Sequence, residues 1–440
     1  MSDLIELSSR IIDSGVVDQP VNRVTEELSE IADRLAVVES FSHSVVLDTG
    51  DGLVAFDTSG ANSGSAVVEA IGSWAESPVT HVVYTHGHID HVGGSRAFAA
   101  RWSPATIVGH VNVAARFDRY ERTNGWNIGI NARQFGGIRQ DLGLGLDSTD
   151  VLAPGATDTA VWRHFLPTGT LRPNLVVDDG TVIEVGGETI ELVHARGETD
   201  DHLWAWLPER RTIMSGDFVI WNFPNAGNPQ KVQRFPIEWA AALRAMAARR
   251  PELLVPAHGL PIAGTERIAS VLDTIASALE QLVDEVLAMM NAGATLDEIV
   301  HTVRVPDETL AKPYLRPLYD EPEFVVRGIW RQFGGWGDGA PSRLKPSPDA
   351  HLGATIAELA GGPAVLVERA RAAAEAGDLR LACHLVDHAG WAAPDDPEVH
   401  RARAEIYWSR RAAERSLMSK GIFAAAARES EVISGPVRDR

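Results

Sequence analysis

Residues 79–85, Val-Thr-His-Val-Val-Tyr-Thr, make a near-continuous apolar run of the kind that forms a buried strand. Directly behind it stand His86-Gly87-His88-Ile89-Asp90-His91, followed by Gly93-Gly94 and a helical pattern to Arg101. This junction constrains the fold more than any other feature, because it crowds four donor side chains onto one strand end. His86 and His88, two apart on a tight turn, can face one ion. Asp90 and His91, a step further on, can hold a second. Neutral imidazole and carboxylate suit a borderline cation such as Zn²⁺, with positions left open for water.

The rest of the first half reads as strand runs with a few helices. Residues 35–41, 43–48 and 52–57 are short apolar runs around the turn signal Thr49-Gly-Asp-Gly52, and 66–74 has helical spacing. Residues 103–110 read as a strand. Strands return at 181–185, 189–194, 202–207 and 211–214, a helix covers 237–248, and a last strand at 253–257 ends on His258. The order suggests a sheet-on-sheet core with helices outside. Residues 120–175, rich in Gly, Asn and Pro, read as a weakly periodic insertion that lines the pocket.

After Gly264 the pattern turns helical: 266–291, 295–303 and 322–333, a Gly-Trp-rich link at 334–341, then an Ala-rich tail holding one helix-turn-helix repeat. The expected division is a catalytic domain over 1–265 and a helical domain over 266–440. The chain has 440 residues and a net charge of −20, an acidic excess that argues against a nucleic-acid or anionic-membrane binder. Its single cysteine, Cys383, excludes an intrachain disulfide framework. No apolar run approaches a membrane span, and the acidic N-terminus does not read as a signal peptide, so a cytoplasmic enzyme is expected.

Thr85-His-Gly-His-Ile-Asp-His91 with Gly-Gly after it resembles the signature of the metallo-β-lactamase superfamily. The resemblance implies an α+β fold, an αββα sandwich, with one or two metals at the sheet ends. Three further motifs follow in the family's order: Arg196-Gly-Glu198-Thr199 in the place of Pro-Gly-His-Thr, Ser215-Gly-Asp217 at the bridging acid, and Pro256-Ala-His258-Gly259 at the last histidine. A carboxylate at position 198 resembles the alkyl sulfatase branch (the SDS-hydrolase type). So does Tyr319 to Gly339 with Ser342-Arg-Leu-Lys-Pro346, which resembles that branch's dimerisation domain. The likeness spans roughly 35–425 and leaves no room for the sterol-carrier-like C-terminal domain of longer members.

The resemblance implies metal ligands at His86, His88, Asp90, His91, Glu198, Asp217 and His258, with His194 and His202 as rivals for the third nitrogen place. It implies two zinc ions, a bridging water acidified to hydroxide, catalytic roles for Asp90 and Asp217, and a homodimer. The expected substrate is a small ester, anionic with an apolar tail. Asn131, Arg133, Trp221, Asn222, Asn225 and Lys231 are candidates to bind it, Arg133 through its planar fork. Asp57 reads as a support for a turn near the site, and Asp200 and Asp201 as solvated turn residues or, alternatively, as residues that orient a ligand.

Three departures from the branch stand out. Asp217 replaces a second Glu, residues 218–225 keep only the asparagines of a His- and Asn-rich run, and Arg133-Gln-Phe-Gly136 replaces Tyr-x-Tyr-Gly. They keep open hydrolysis of a different ester, whether carboxylic ester, lactone or phosphodiester. Two readings remain: a non-catalytic scaffold on the same fold, opposed by a full set of ligand positions, and a flavin-linked oxidoreductase, opposed by a helical tail without a phosphate-cradling Gly-rich loop.

Overall fold

The computed structural model describes residues 3–138 and 164–437. Seven strands follow one another in chain order across the first sheet: β1 (Leu28–Ala32), β2 (Leu35–Val38), β3 (Ser44–Asp48), β4 (Leu53–Phe56), β5 (Val79–Val83), β6 (Thr106–His110) and β7 (Leu175–Val177). The second sheet holds β8 (Gly180–Val185), β9 (Glu188–His194), β10 (Leu203–Leu207), β11 (Thr212–Gly216), β12 (Leu253–Pro256) and β13 (Ile262–Ala263), in the order 13-12-11-10-9-8. β1 to β4 are antiparallel and β4 to β7 parallel. In the second sheet the one parallel pair is β11 with β12. Each parallel step needs a crossover, and helices Gly64–Trp74, Ser95–Trp102 and Pro236–Ala248 supply three of them.

The alternation along the strands explains the layering. Val37, Val45, Val54 and Val83 share one face of the first sheet and lie in one core with Leu192, Ala205, Met214 and Val255, which share one face of the second. Their chain neighbours Val38, Val46, Ala55 and Val82 pack instead with Val67, Ile71 and Phe98 of the helices outside the first sheet. A strand buried on both faces must read as a continuous apolar run, as β2 (Leu-Ala-Val-Val) and β4 (Leu-Val-Ala-Phe) do. Helix Thr265–Asn291 lies with Pro236–Ala248 beyond the second sheet, its Ile268, Leu272, Ile275 and Leu279 buried. The result is the expected αββα sandwich followed by an all-helical region.

Two compact units divide the described residues. The first runs to Asn124 and from His164 to Trp336; the second holds Gly125 to Ile138 and everything from Gly337. The division expected at 265/266 therefore differs from the packing. Helices Thr265–Asn291, Leu296–Thr302 and Pro322–Gly334 share the sandwich's core, because Val283, Val300, Val325 and Ile329 have no separate core to fill. The second unit stacks helices Asp349–Ala360, Pro363–Glu375, Leu379–Ala392, Pro397–Ala413 and Leu417–Ser434.

The expected insertion is also corrected. Its first part is helical, in Val111–Arg122 and Asn124–Gln134, and 139–163 lies outside the described residues. Gly125 and Gly129 lower the intrinsic helix propensity of the second segment, yet Ile128, Ile130 and Ala132 are buried there. Gly421 permits that packing: a Cβ on it would stand 1.8 Å from the Gln134 carbonyl oxygen. Among the described residues no single helix is long and apolar enough to cross a membrane.

Candidate metal centre

The centre lies where strands of both sheets end. Behind β5 the chain turns through His86-Gly87-His88 into the short helix Ile89–Val92, which carries Asp90 and His91. Asp57, just past β4, fixes this turn from below. It is fully buried, has a left-handed φ of 60°, and accepts from the Thr85 backbone N–H (2.7 Å), the Thr85 hydroxyl (2.7 Å) and His91 Nδ1 (2.8 Å). Holding Nδ1 as the N–H leaves His91 Nε2 as a lone pair, the usual way a carboxylate orients a ligating imidazole.

The second sheet brings Asp217 from the end of β11 and His258 from the end of β12. Asp217 Oδ2 is 3.8 Å from His86 Nε2, while its Oδ1 is 3.4 Å from His91 Nε2 and 3.5 Å from His258 Nε2. Asp90 Oδ2 closes the second group, 3.7 Å from His91 Nε2 and 3.5 Å from His258 Nε2. His258 Nδ1 donates to the Phe41 carbonyl at 2.5 Å, which again turns Nε2 inward. Two donor sets result, His86/His88/Asp217 and Asp90/His91/His258, each compact enough for one ion. The fit to a cation shows in the buried atoms themselves. His91 Nε2 and Asp217 Oδ1 are buried without a hydrogen-bond partner, an arrangement costly unless something positively charged satisfies them.

The electrostatics agree. Burial, reinforced by neighbouring cationic groups, holds His86 and His88 well below the usual imidazole range, so both offer lone pairs. Against the push of burial, Asp217, Asp57 and Asp90 raise His91 well above the usual imidazole range, and His91 and His258 in turn hold Asp217 well below the carboxylate range, so the carboxylates here draw in positive charge. His202 is pushed down to about 3 by burial, and its Nε2 accepts the Asp217 N–H at 3.1 Å; it supports the acid instead of supplying a third nitrogen. His194 is engaged elsewhere, stacked on His110 at 3.9 Å and donating to the Asp200 carbonyl.

Glu198 stands beside the first set, 3.5 Å from His88 Nδ1, and its Oε1 also receives Arg234 at 2.7 Å and Asn225 Nδ2 at 2.5 Å. Asn225 therefore holds Glu198. Lys231 is half-buried with its ammonium 5.6 Å from the Phe165 ring centroid. Burial and Arg234 push its pKa down to about 8, with Asp90 and Glu198 close enough to oppose them. Asn222 is half-buried and donates to the Ile220 carbonyl. Trp221 is corrected from pocket wall to packing residue: it is fully buried, its indole N–H donates to the Leu260 carbonyl at 2.8 Å, and a Cβ on Gly259 would stand 2.3 Å from the ring. Asn131 and Arg133 fall in the second unit, where Arg133 lies 4.0 Å from Glu429.

Sequence reasoning missed several residues around the centre. Arg116 is one: it is buried against Asp201, which is itself fully buried, so the solvated-turn reading of Asp201 gives way and the ligand-orienting alternative stays open. The available signal was Arg116 itself, a charge on the buried stripe of Val113, Phe117 and Tyr120. Arg234 and Tyr319 were missed as well; burial, then Glu198 and Asp90, holds the Tyr319 phenol far up. Asp320 is fully buried and accepts the Gly227 N–H at 2.7 Å, tying loop 222–234 to the helical segment. Burial raises its carboxyl from 3.8 to about 7. A folded-state pKa above the unfolded one contributes stability that is full below about pH 4 and lost as pH rises through 7. Asp320→Asn should therefore gain on the parent in melting temperature between pH 5 and pH 8; parallel pH curves for the two proteins would refute the buried ionisation.

Strand-end histidines and carboxylates on an αββα sandwich define a metal-dependent hydrolase. The chain belongs to the metallo-β-lactamase superfamily, whose model matches residues 37–258, and the alkyl sulfatase dimerisation model matches residues 295–432. A linear primary-alkylsulfatase of Pseudomonas sp. is 27% identical over 82% of this chain and 69% of its own length. An (R)-specific secondary-alkylsulfatase of Pseudomonas sp. is 26% identical over 83% of this chain, which spans 56% of that relative. The solved structure of the stereoselective inverting sec-alkylsulfatase Pisa1 from Pseudomonas sp. superposes with a TM-score of 0.78 at 22% identity, covering 94% of this chain and 67% of that one.

Proposed function

We propose that this chain hydrolyses organic sulfate esters with an apolar tail, using two divalent ions, zinc by preference. The observation that carries the reading is the pair of donor sets meeting on the two oxygens of Asp217. The likeness to alkylsulfatases supports the substrate class, and the dimerisation match supports a homodimer. His86, His88 and Asp217 would hold one ion, with Glu198 beside it, and Asp90, His91 and His258 the other. Ions bound there supply a nucleophile from water at neutral pH and stabilise charge on the ester.

The chain's own residues do the rest. Asp90 Oδ2, 3.7 Å from His91 Nε2 and 3.5 Å from His258 Nε2, stands where it can orient the attacking water and accept its proton. Lys231, near both Asp90 and Glu198, faces the anionic head group. Asn225 and Arg234 keep Glu198 in place. Water replaces the alkoxy link, and the products are an alcohol and hydrogen sulfate.

The deciding experiment is a metal-loaded activity panel. Sulfate release from a medium-chain alkyl sulfate is expected to fall at least about a hundredfold with chelator and to return with zinc (a loss of roughly 3 kcal/mol of transition-state stabilisation). A metal-replete protein silent on primary and secondary alkyl sulfates would remove the proposal. Turnover of a lactone or phosphodiester in that case would establish the other ester class, which Asp217 in the bridging place favours.

A further inference from the structure

The two donor sets depend on two sheets. His86, His88 and His91 follow β5 of the first, whereas Asp217 and His258 follow β11 and β12 of the second. Such a site works only if both rows of donors keep their separation to within about 0.5 Å. Three consecutive residues leading into β10 grip both rows. The Leu203 N–H donates to the Thr85 carbonyl at 2.6 Å, across the sheets. His202 Nε2 accepts the Asp217 N–H at 3.1 Å. Asp201 Oδ2 accepts the Gly87 N–H at 3.1 Å, between the two ligating histidines, and Arg116 Nε at 2.7 Å.

Asp201 is fully buried, and the Arg116 side chain is 3% exposed. A buried carboxylate–guanidinium pair is weak as a stabiliser, because desolvation offsets its attraction and apolar residues of like volume do as well. Its position is more telling. A Cβ on Gly87 would stand 2.9 Å from both Asp201 Oδ2 and Arg116 Cδ, so the turn is pressed onto the pair with no side chain between. We infer that Asp201, held by Arg116, is a positioning residue for the metal centre: it fixes Gly87 and so the angle between His86 and His88. This rests on the reading of the site as a metal centre and is independent of the substrate.

The test measures zinc affinity by competition with a chromophoric chelator, and the visible absorption of the cobalt-loaded protein, for the full chain and for Asp201→Ala and Asp201→Asn. Loss of an outer hydrogen-bond partner weakens metal binding by about 10–100-fold. That loss is expected for Asp201→Ala at one of two ions, together with changed cobalt bands. Asp201→Asn keeps an oxygen for Gly87 but loses the buried charge at Arg116 Nε, leaving Asp200 as the guanidinium's carboxylate partner, and should fall between the parent and Asp201→Ala. Parent-like affinity and cobalt bands in Asp201→Ala would overturn the inference. If that variant does not fold, the same result in Asp201→Asn overturns it. A parent chain that takes up no ion removes the metal reading itself, a different outcome from a parent and variants that bind equally.

Discussion

Asp217→Asn is expected to abolish hydrolysis, with a loss on the order of a thousandfold or more (about 4 kcal/mol of transition-state stabilisation). Asparagine keeps the size and one oxygen of the side chain but not its charge. The carboxylate reaches both donor sets, with Oδ2 toward His86 and Oδ1 toward His91 and His258. Without it each set keeps its imidazoles but loses the anion they share. Metal content should fall along with turnover, so plasma mass spectrometry on the purified variant reads the effect separately from activity. A variant with a full metal complement and at least a tenth of parental activity would show that Asp217 is not the shared acid.

The second large effect concerns stability. Arg234 and Glu198 form a pair with side chains 3% and 4% exposed, and the same guanidinium also donates to the Glu198 carbonyl at 2.6 Å. Burial pushes the Glu198 carboxyl up to about 8 against the pull of Arg234, so in the metal-free protein above that pH removing Arg234 leaves an uncompensated charge and costs about 3–5 kcal/mol. Arg234→Met should lower the urea midpoint accordingly. The double variant Arg234→Met/Glu198→Gln should regain part of the loss, since the orphaned charge is gone. A single variant within about 1 kcal/mol of the parent would show that the pair is already solvated, as exposed pairs contribute that little.

The most local features were the most legible. Residues 86–91 announce themselves because their donors sit within six consecutive positions at the end of an apolar strand, and β2 to β5 read correctly because strands buried on both faces are continuously apolar. Asp57 was readable as a support because it ends such a run. What escaped was long-range. Asp201 and Arg116 stand 85 positions apart, and Arg234 reaches Glu198 across 36; no local spacing encodes either pairing. Trp221 misled for a related reason, since an indole can wall a pocket or fill a core, and only the packing against Gly259 decides which. The helix Asn124–Gln134 was hidden by glycines whose low propensity the surrounding packing overrides.

The anchoring of loop 222–234 has a consequence for how such an enzyme diversifies. The metal donors are set by strand ends, while Lys231, Asn225 and Arg234 ride on a loop secured by Asp320 at Gly227 and by the Arg316 carbonyl at the Phe223 N–H. The loop is thus tied to the metal centre as well, since Asn225 and Arg234 hold Glu198 beside the first donor set. Substitutions in residues 316–328 would reach Lys231 and Glu198 together, so a library aimed at new esters in that segment has to be screened for metal content alongside turnover.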